Sequence, residues 1–359
     1  MKRNPEIHLL IKILAIIGFI ILLVLIAGYI FIKVRSPYLL EFSKGIEEYR
    51  IPVKLDSLKE ARFITGMNGC ENILPQKEGE GVYVSCLDGN IHFLVPDINE
   101  GFKIKQSFRA GEAVMGMTFS ADGELFAAVS KAPLSEWSEK GGGVYRITAD
   151  LLSAERISED FPSMNGICID GSRDLYFTTS NFNLLRPKGA IYRIKAGNGN
   201  AFGSPEIYIP DAGAANGLYY DPLQDEMYYS NTLGGVYGFT SDQNSLQEVY
   251  LKLKFMEACD DLCTDISGNI WMTDPGQSTI KVFNPGTGRL VRFIIEGIGQ
   301  TSSCRIRSEK GGEILYITEL KRSQSPMSSE FTGRGVLIVP AQSLLKLLEP
   351  VLTEKKQQR

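Results

Sequence analysis

The chain reads as an all-β protein, a six-bladed β-propeller preceded by a single N-terminal transmembrane helix. Three observations predict this. A two-strand unit recurs six times, at spacings of 44, 50, 51, 44 and 44 residues; a period in the forties with room for four strands is that of a propeller blade. The 36 glycines suit many short strands joined by tight turns. Residues 13–32 are twenty consecutive uncharged, mostly apolar residues, enough for a helix to cross a bilayer.

Residues 1–12 form a short N-terminal segment before that anchor. No small-residue cleavage site follows the apolar stretch, so an uncleaved signal-anchor is expected rather than a signal peptide. Lys2, Arg3 and Lys12 precede the span and Lys33 and Arg35 follow it. That bias favours the N-terminus inside. The expected localisation is a single-pass membrane protein with its propeller on the extracytoplasmic side. Residues 33–64 read as connector and start of the propeller, with 36–62 charged and irregular.

The propeller is expected over 65–340. Its unit is clearest where Met164-Asn165-Gly166-Ile167-Cys168-Ile169 runs into a turn at 170–174 and then Leu175-Tyr176-Phe177. That is a hairpin: an apolar run, a turn, then a β-branched and aromatic run. Aligned on Asn165, the other units begin at Glu71, Met115, Asn216, Asp260 and Cys304, with second strands at 82–84, 125–128, 227–229, 270–272 and 314–317. Residues 189–194 and 235–239 read as third strands. A solenoid of stacked β units is the competing architecture, and it usually repeats at a shorter period. Residues 341–359 form an amphipathic tail, expected to pack outside the ring.

Composition narrows the function. A net charge of −4 gives no electrostatic support for nucleic-acid binding. His8 and His92 are the only histidines, and neither lies near a candidate site. The six cysteines (Cys70, Cys86, Cys168, Cys259, Cys263, Cys304) lack the paired spacing of a zinc site. Their strand settings are those of small buried apolar residues, with a bridge from Cys304 left open.

In a propeller the innermost strands line the central channel, so the residues at their start form a ring. Here the ring reads Glu71, Met115, Asn165, Asn216, Asp260, Cys304, with Asp261 adjacent. Four of the six are hard oxygen donors, two of them carboxylates. Two charges and two amide carbonyls suit one divalent cation, calcium better than magnesium, and soft metals are disfavoured. The same residue types are also ordinary turn formers, and a purely structural calcium competes with a catalytic one.

On Glu71, Asn165-Gly166, Asn216-Gly217 and Asp260-Asp261, the sequence resembles the six-bladed calcium-dependent hydrolase superfamily. That group includes the gluconolactonase and senescence-marker proteins, the paraoxonases, diisopropylfluorophosphatase and the strictosidine-synthase-like proteins with an N-terminal anchor. The resemblance covers about 65 to 340. It implies a catalytic calcium held by Glu71, Asn165, Asn216 and Asp260. The departures are informative. Paraoxonases carry a histidine pair near the site, and none can serve here. Asn72 and Gly166 stand where the paraoxonase pattern has the aspartates of a second calcium, so one site is expected. Ser163 and Gly166 replace the Arg and Asp that flank the first Asn in gluconolactonases, against sugar-lactone specificity. The set missing from strictosidine synthases is intact, against their condensation chemistry.

The expected function is a calcium-dependent lactonase or arylesterase. The metal polarises a carbonyl, Asp260 serves as base or nucleophile, and Asp261 is a reserve catalytic carboxylate. A phosphotriesterase would use the same residues. Loops at 130–142, 181–189, 231–234, 274–278 and 319–334 share the ring's face and carry Trp137, Phe182, Leu184, Leu185, Arg186 and Phe331. With Met115, Phe161 and Met164 near the ring, an acyl or aromatic lactone fits better than a free sugar. The competing reading is a non-catalytic, membrane-tethered propeller that binds a protein or ligand, with a structural calcium.

Overall fold

The computed structural model describes residues 5–35, 46–58, 60–76, 78–97, 101–131, 141–148, 150–161, 163–181, 188–197, 201–240, 248–252, 257–309, 312–321 and 333–353. It opens with α1 (Pro5–Arg35), a helix of 31 residues. The sequence predicts a membrane anchor over 13–32, yet among the described residues no helix is long and apolar enough to cross a membrane. The side chains described on α1 are Leu14 and those of 16–30, a stretch shorter than the roughly 20 residues a crossing needs. All of them are exposed.

The connector is not irregular throughout. It contains β1 (Glu47–Lys54) and β2 (Arg62–Ile64). Six sheets follow around an axis. Blade 1 is β3 (Cys70–Pro75), β4 (Val82–Cys86), β5 (Asn90–Asp97) and β6 (Gly101–Arg109). Blade 2 is β7 (Ala113–Phe119), β8 (Leu125–Ser130), β9 (Gly143–Ile147) and β10 (Ala154–Arg156). Blade 3 is β11 (Met164–Ile169), β12 (Leu175–Asn181), β13 (Lys188–Ile194) and β14 (Glu206–Ile209). Blade 4 is β15 (Ala215–Asp221), β16 (Glu226–Asn231), β17 (Gly235–Phe239) and β18 (Glu248–Lys252). Blade 5 is β19 (Leu262–Thr264), β20 (Ile270–Asp274), β21 (Thr279–Asn284) and β22 (Arg289–Glu296). Blade 6 is β23 (Gln300–Glu309), β24 (Gly312–Lys321) and β25 (Gly335–Pro340).

Blade 6 takes its fourth, outermost strand from the other end of the chain. β2 pairs antiparallel with β25, which closes the ring without a free seam. β1 adds a fifth strand to blade 5, parallel to β22 over eight paired positions from Glu47↔Arg289 to Lys54↔Glu296.

Apolar side chains fill the spaces between neighbouring blades. Phe161, Phe177 and Tyr192 stack between blades 2 and 3, and Trp271 is fully buried among blades 5 and 6, its indole N–H satisfied by Asp265 Oδ2 at 2.9 Å. Phe161 and Met164 therefore belong to the core rather than to the mouth of the channel. All six cysteines are buried and unbridged. After β25 comes α2 (Ala341–Thr353), whose Leu344 and Leu348 pack into the core shared by blades 5 and 6.

The inner strands carry the feature that builds the site. β3, β7, β11, β15 and β23 each break register near their start, at Cys70/Asn72, Val114/Met117, Met164/Ile167, Ala215/Leu218 and Thr301/Cys304. A bulge re-aims its side chain out of the sheet's alternation. In blade 5 the same place is taken by Asp260 and Asp261, whose backbones bond to Thr273 ahead of β19. The sixth ring position is accordingly Ser302, inside the β23 bulge, and not Cys304. Cys304 stands at the register of Ile167 and is fully buried in the interblade core.

Candidate active site

The bulges bring Glu71, Met115, Asn165, Asn216, Asp260 and Ser302 to one small cavity on the axis, together with Asp261 and Arg305. Its volume is about 10 Å³, room for a single water-sized occupant. Met115 continues into an apolar patch with Leu87, Ala113 and Leu320. Trp137, Phe182, Leu184, Leu185, Arg186 and Phe331, expected at the mouth, lie outside the described residues.

Why the sequence repeats Asn-Gly becomes clear one layer down. At Gly166 a Cβ would lie 2.4 Å from the Asn216 carbonyl oxygen and 2.5 Å from Leu218 N. At Gly217 it would lie 2.5 Å from Asp261 Oδ1. Glycine lets neighbouring inner strands touch. On the other side of the axis the equivalent positions carry side chains that bond instead. Asn72 Nδ2 donates to Asp261 Oδ2 (2.9 Å) and to Ser303 Oγ (3.3 Å), and Ser303 Oγ donates to Asp261 Oδ2. Arg305 Nη1 donates to the same oxygen at 2.7 Å. Asp261 lines the same cavity with its Oδ2 engaged by Asn72, Ser303 and Arg305 and its Oδ1 accepting from Leu262 N (2.8 Å).

The ring residues are differently placed. Asn216 Nδ2 donates to Thr232 Oγ1 (3.0 Å) and Asp260 Oδ1 (2.5 Å), which fixes the amide and leaves its oxygen free to accept from or ligate another group. Among the described residues the Glu71 carboxylate and the Asn165 amide have no hydrogen-bond partner, although both are only 8% exposed. Burial pushes the Glu71 carboxyl well above its usual range, and repulsion from Asp260 and then Asp261 adds to it. Asp260 is pushed up to about 8 by burial and by Asp261, opposed by the Asn216 hydrogen bond.

An unpartnered buried carboxylate beside a second one is costly unless a cation or a shared proton compensates them. Glu71, Asp260 and the two amides supply four hard oxygens around a space of ionic size, so the donor set fits calcium. No three His, Cys, Asp or Glu side chains gather into a metal-binding group among the described residues, because half of this set is amide and the third carboxylate is held by Arg305. Ser302, Ser303 and Arg305 were not singled out from sequence, and Asn72 only as a departure from the paraoxonase pattern. The available signal was Arg305 itself, a charge within an inner strand at the register of Cys168 and Tyr219.

Fold and site together define a six-bladed propeller with a ring of oxygen donors on its axis. Residues 169–321 match the family described as SMP-30/Gluconolactonase/LRE-like region. A gluconolactonase from Xanthomonas campestris is similar at 18% identity and TM-score 0.55, over 79% of this chain and 90% of that one. Regucalcin from Agrobacterium tumefaciens, described as a calcium-binding protein, is similar at 14% and 0.58, over 81% and 94%. So is a PQQ-bound aldose sugar dehydrogenase from Streptomyces coelicolor, at 14% and 0.55, over 78% and 98%. At these identities the likeness is one of fold, and the third structure carries different chemistry on it. No curated protein matches the chain by sequence.

Proposed function

We propose that the ring is the active site of a calcium-dependent hydrolase of lactones or esters, with one calcium held by Glu71, Asn165, Asn216 and Asp260. The observation that carries this reading is the unpartnered Glu71 carboxylate, which shares an ion-sized cavity with Asp260 and two amides. The gluconolactonase and regucalcin similarities support the lactone and the calcium respectively. When bound, calcium supplies Lewis-acid polarisation of the scissile carbonyl and offsets the charge that develops on its oxygen.

The chain's own residues do the rest. Asn216 clamps Asp260 Oδ1, leaving Oδ2 to take the proton from a water that attacks the carbonyl, or to attack it directly, expelling the alkoxide and leaving an acyl-aspartate that water then hydrolyses. In the first route the proton held on Oδ2 passes to the departing alkoxide, so acid and alcohol leave with the site restored. Met115 and its apolar neighbours favour an acyl or aromatic substrate. Hydrolysis of aliphatic and aromatic lactones, aryl esters and phosphotriesters, with calcium and with chelator, tests this beside Asp260→Asn. Turnover that needs calcium and vanishes in the folded variant is the expected result.

The second reading is a non-catalytic propeller that binds a protein or ligand around a structural calcium. The close-set walls of the ring cavity favour it. Calcium that raises the melting temperature with no substrate turned over would select it.

The helix α1 is proposed as a membrane anchor over 13–32, with the propeller extracytoplasmic. The exposed apolar side chains of 16–30 and the excess of Lys and Arg before the span support this. Resistance to carbonate extraction, with the propeller open to protease from outside, is the expected outcome.

A further inference from the structure

We propose that the wide cavity at the end of the channel opposite the ring binds a small organic carboxylate with an apolar body, seated on the guanidinium of Arg305. This cavity measures about 550 Å³, within the range of roughly 300–1,000 Å³ usual for small-molecule sites. It reaches the hairpin turns of the blades at Gln76, Ala121, Gly171 and Pro222. Ile167, Leu218 and Arg305 line both it and the ring cavity, so these three side chains form the partition between two separate spaces.

The chemistry of the ligand follows from Arg305. Its side chain is buried, with 8% exposed, and Nη1 is fully engaged. That nitrogen donates to Asp261 Oδ2 (2.7 Å), to the Cys304 carbonyl (2.7 Å) and to the Leu262 carbonyl (3.0 Å). Among the described residues Nε and Nη2 have no acceptor. Those two groups are one edge of the guanidinium, and two parallel N–H groups match the two oxygens of a carboxylate. The flat face rests over Tyr219, 5.7 Å from the ring centroid, which fixes the direction of that edge. A buried guanidinium with idle donors at the wall of a cavity calls for an acceptor from outside the chain.

The body of the ligand is set by the walls. Leu74, Phe119, Tyr219 and Ile306 are only half-buried and face this space, so an alkyl or aryl group is desolvated there. Asp170 lies on the same wall, hydrogen-bonded by Asp174 N at 2.8 Å, and its charge favours one negative charge on the ligand over the two of a phosphate monoester. The site is independent of the chemistry proposed for the ring.

The test is calorimetry on the full chain in lipid nanodiscs, with hexanoate and hexanol as probes. Hexanoate is expected to bind one per chain, and hexanol about tenfold more weakly or worse for want of the bidentate contact. Thr118→Trp fills the cavity while leaving Arg305 and the ring untouched, and should weaken hexanoate by about tenfold or more. Asp260→Asn, which disables the ring, should leave hexanoate within about twofold, while its effect on calcium binding reports separately on the ring. Absence of saturable hexanoate binding overturns the proposal, as does hexanol binding equally well. Loss in Asp260→Asn with retention in Thr118→Trp puts the acid in the ring and overturns it too. Should Thr118→Trp fail to fold, the two probes on the native chain still decide.

Discussion

Arg305 Nη1 lies 2.7 Å from Asp261 Oδ2 in the layer next to the ring, and both side chains are buried. This pair separates two adjacent aspartates that are chemically identical in sequence. Asp260 is aimed at the ring cavity and tied only to Asn216, whereas Asp261 is ion-paired and also accepts from Asn72 and Ser303.

The first prediction concerns this division. Asp260→Asn should abolish calcium binding and any hydrolysis while leaving the protein folded. Asp261→Asn should instead strand a buried guanidinium, at a cost of about 3–5 kcal/mol. Urea denaturation and calcium calorimetry on the two variants check it. Equal loss of calcium affinity in both, with equal stability, would mean that Asp261 also ligates.

The ring carboxylates should make the calcium-free protein sensitive to pH. Asp260 titrates at about 8 in the folded chain, against about 3.9 when unfolded, and Glu71 is raised as well. The folded state therefore holds more protons between those values, so this contribution is fully present below about pH 4 and is lost as pH rises through about 8. With chelator, the melting temperature of the native chain should fall relative to Asp260→Asn from about pH 5 to 8. Calcium competes with those protons, so its stabilising effect should grow over the same window. Scanning calorimetry with and without calcium measures both trends.

Gly166 is a site of contact between blades rather than a flexible turn. Gly166→Ala would drive a Cβ to 2.4 Å from the Asn216 carbonyl oxygen, and backbone cannot give way as a side-chain end would. The expected destabilisation is about 2–3 kcal/mol. Gly123→Ala is the control. Its φ of +83° strains alanine, but no atom stands within 4 Å of the added Cβ, so about 1 kcal/mol is expected. Thermal melts of the two variants should rank them in that order.

Much of this was legible in the sequence. The inner hairpins repeat with enough regularity to give six blades, and Glu71, Asn165, Asn216 and Asp260 fall at matching registers. Cys304 was misplaced because an interval of 44 residues from Asp260 lands two residues beyond Ser302, on the far side of the β23 bulge, and Ser302-Ser303 lacks the Asn-Gly signature of the β11 and β15 bulges. β1 was missed because it repeats nothing: its residues Glu47-Glu48-Tyr49-Arg50 are those of a polar connector, and its partner β22 lies more than 240 residues away. The role of Asp261 was hidden for the same reason, since Asn72 and Arg305 approach it only when the ring closes.

Closure gives a further prediction. A chain beginning at residue 46 keeps β1 and β2 and should fold. One beginning at residue 65 exposes the edge of β25, and it should aggregate or melt far lower. Circular dichroism and size-exclusion chromatography distinguish the two outcomes.

The parallel ladder between β1 and β22 also has a mechanical meaning. The chain enters β1 at Glu47, and the eight paired positions run in one direction from there. Tension directed along β1 would load these rungs together in shear instead of peeling them one by one. Glu48 Oε1 accepts from Arg292 Nε at 2.9 Å across that ladder, adding a charged cross-tie near the point where force enters. Were α1 held in a membrane, as proposed above, a tug on it would be met at the rim of blade 5, before it reaches the strand that seals the ring.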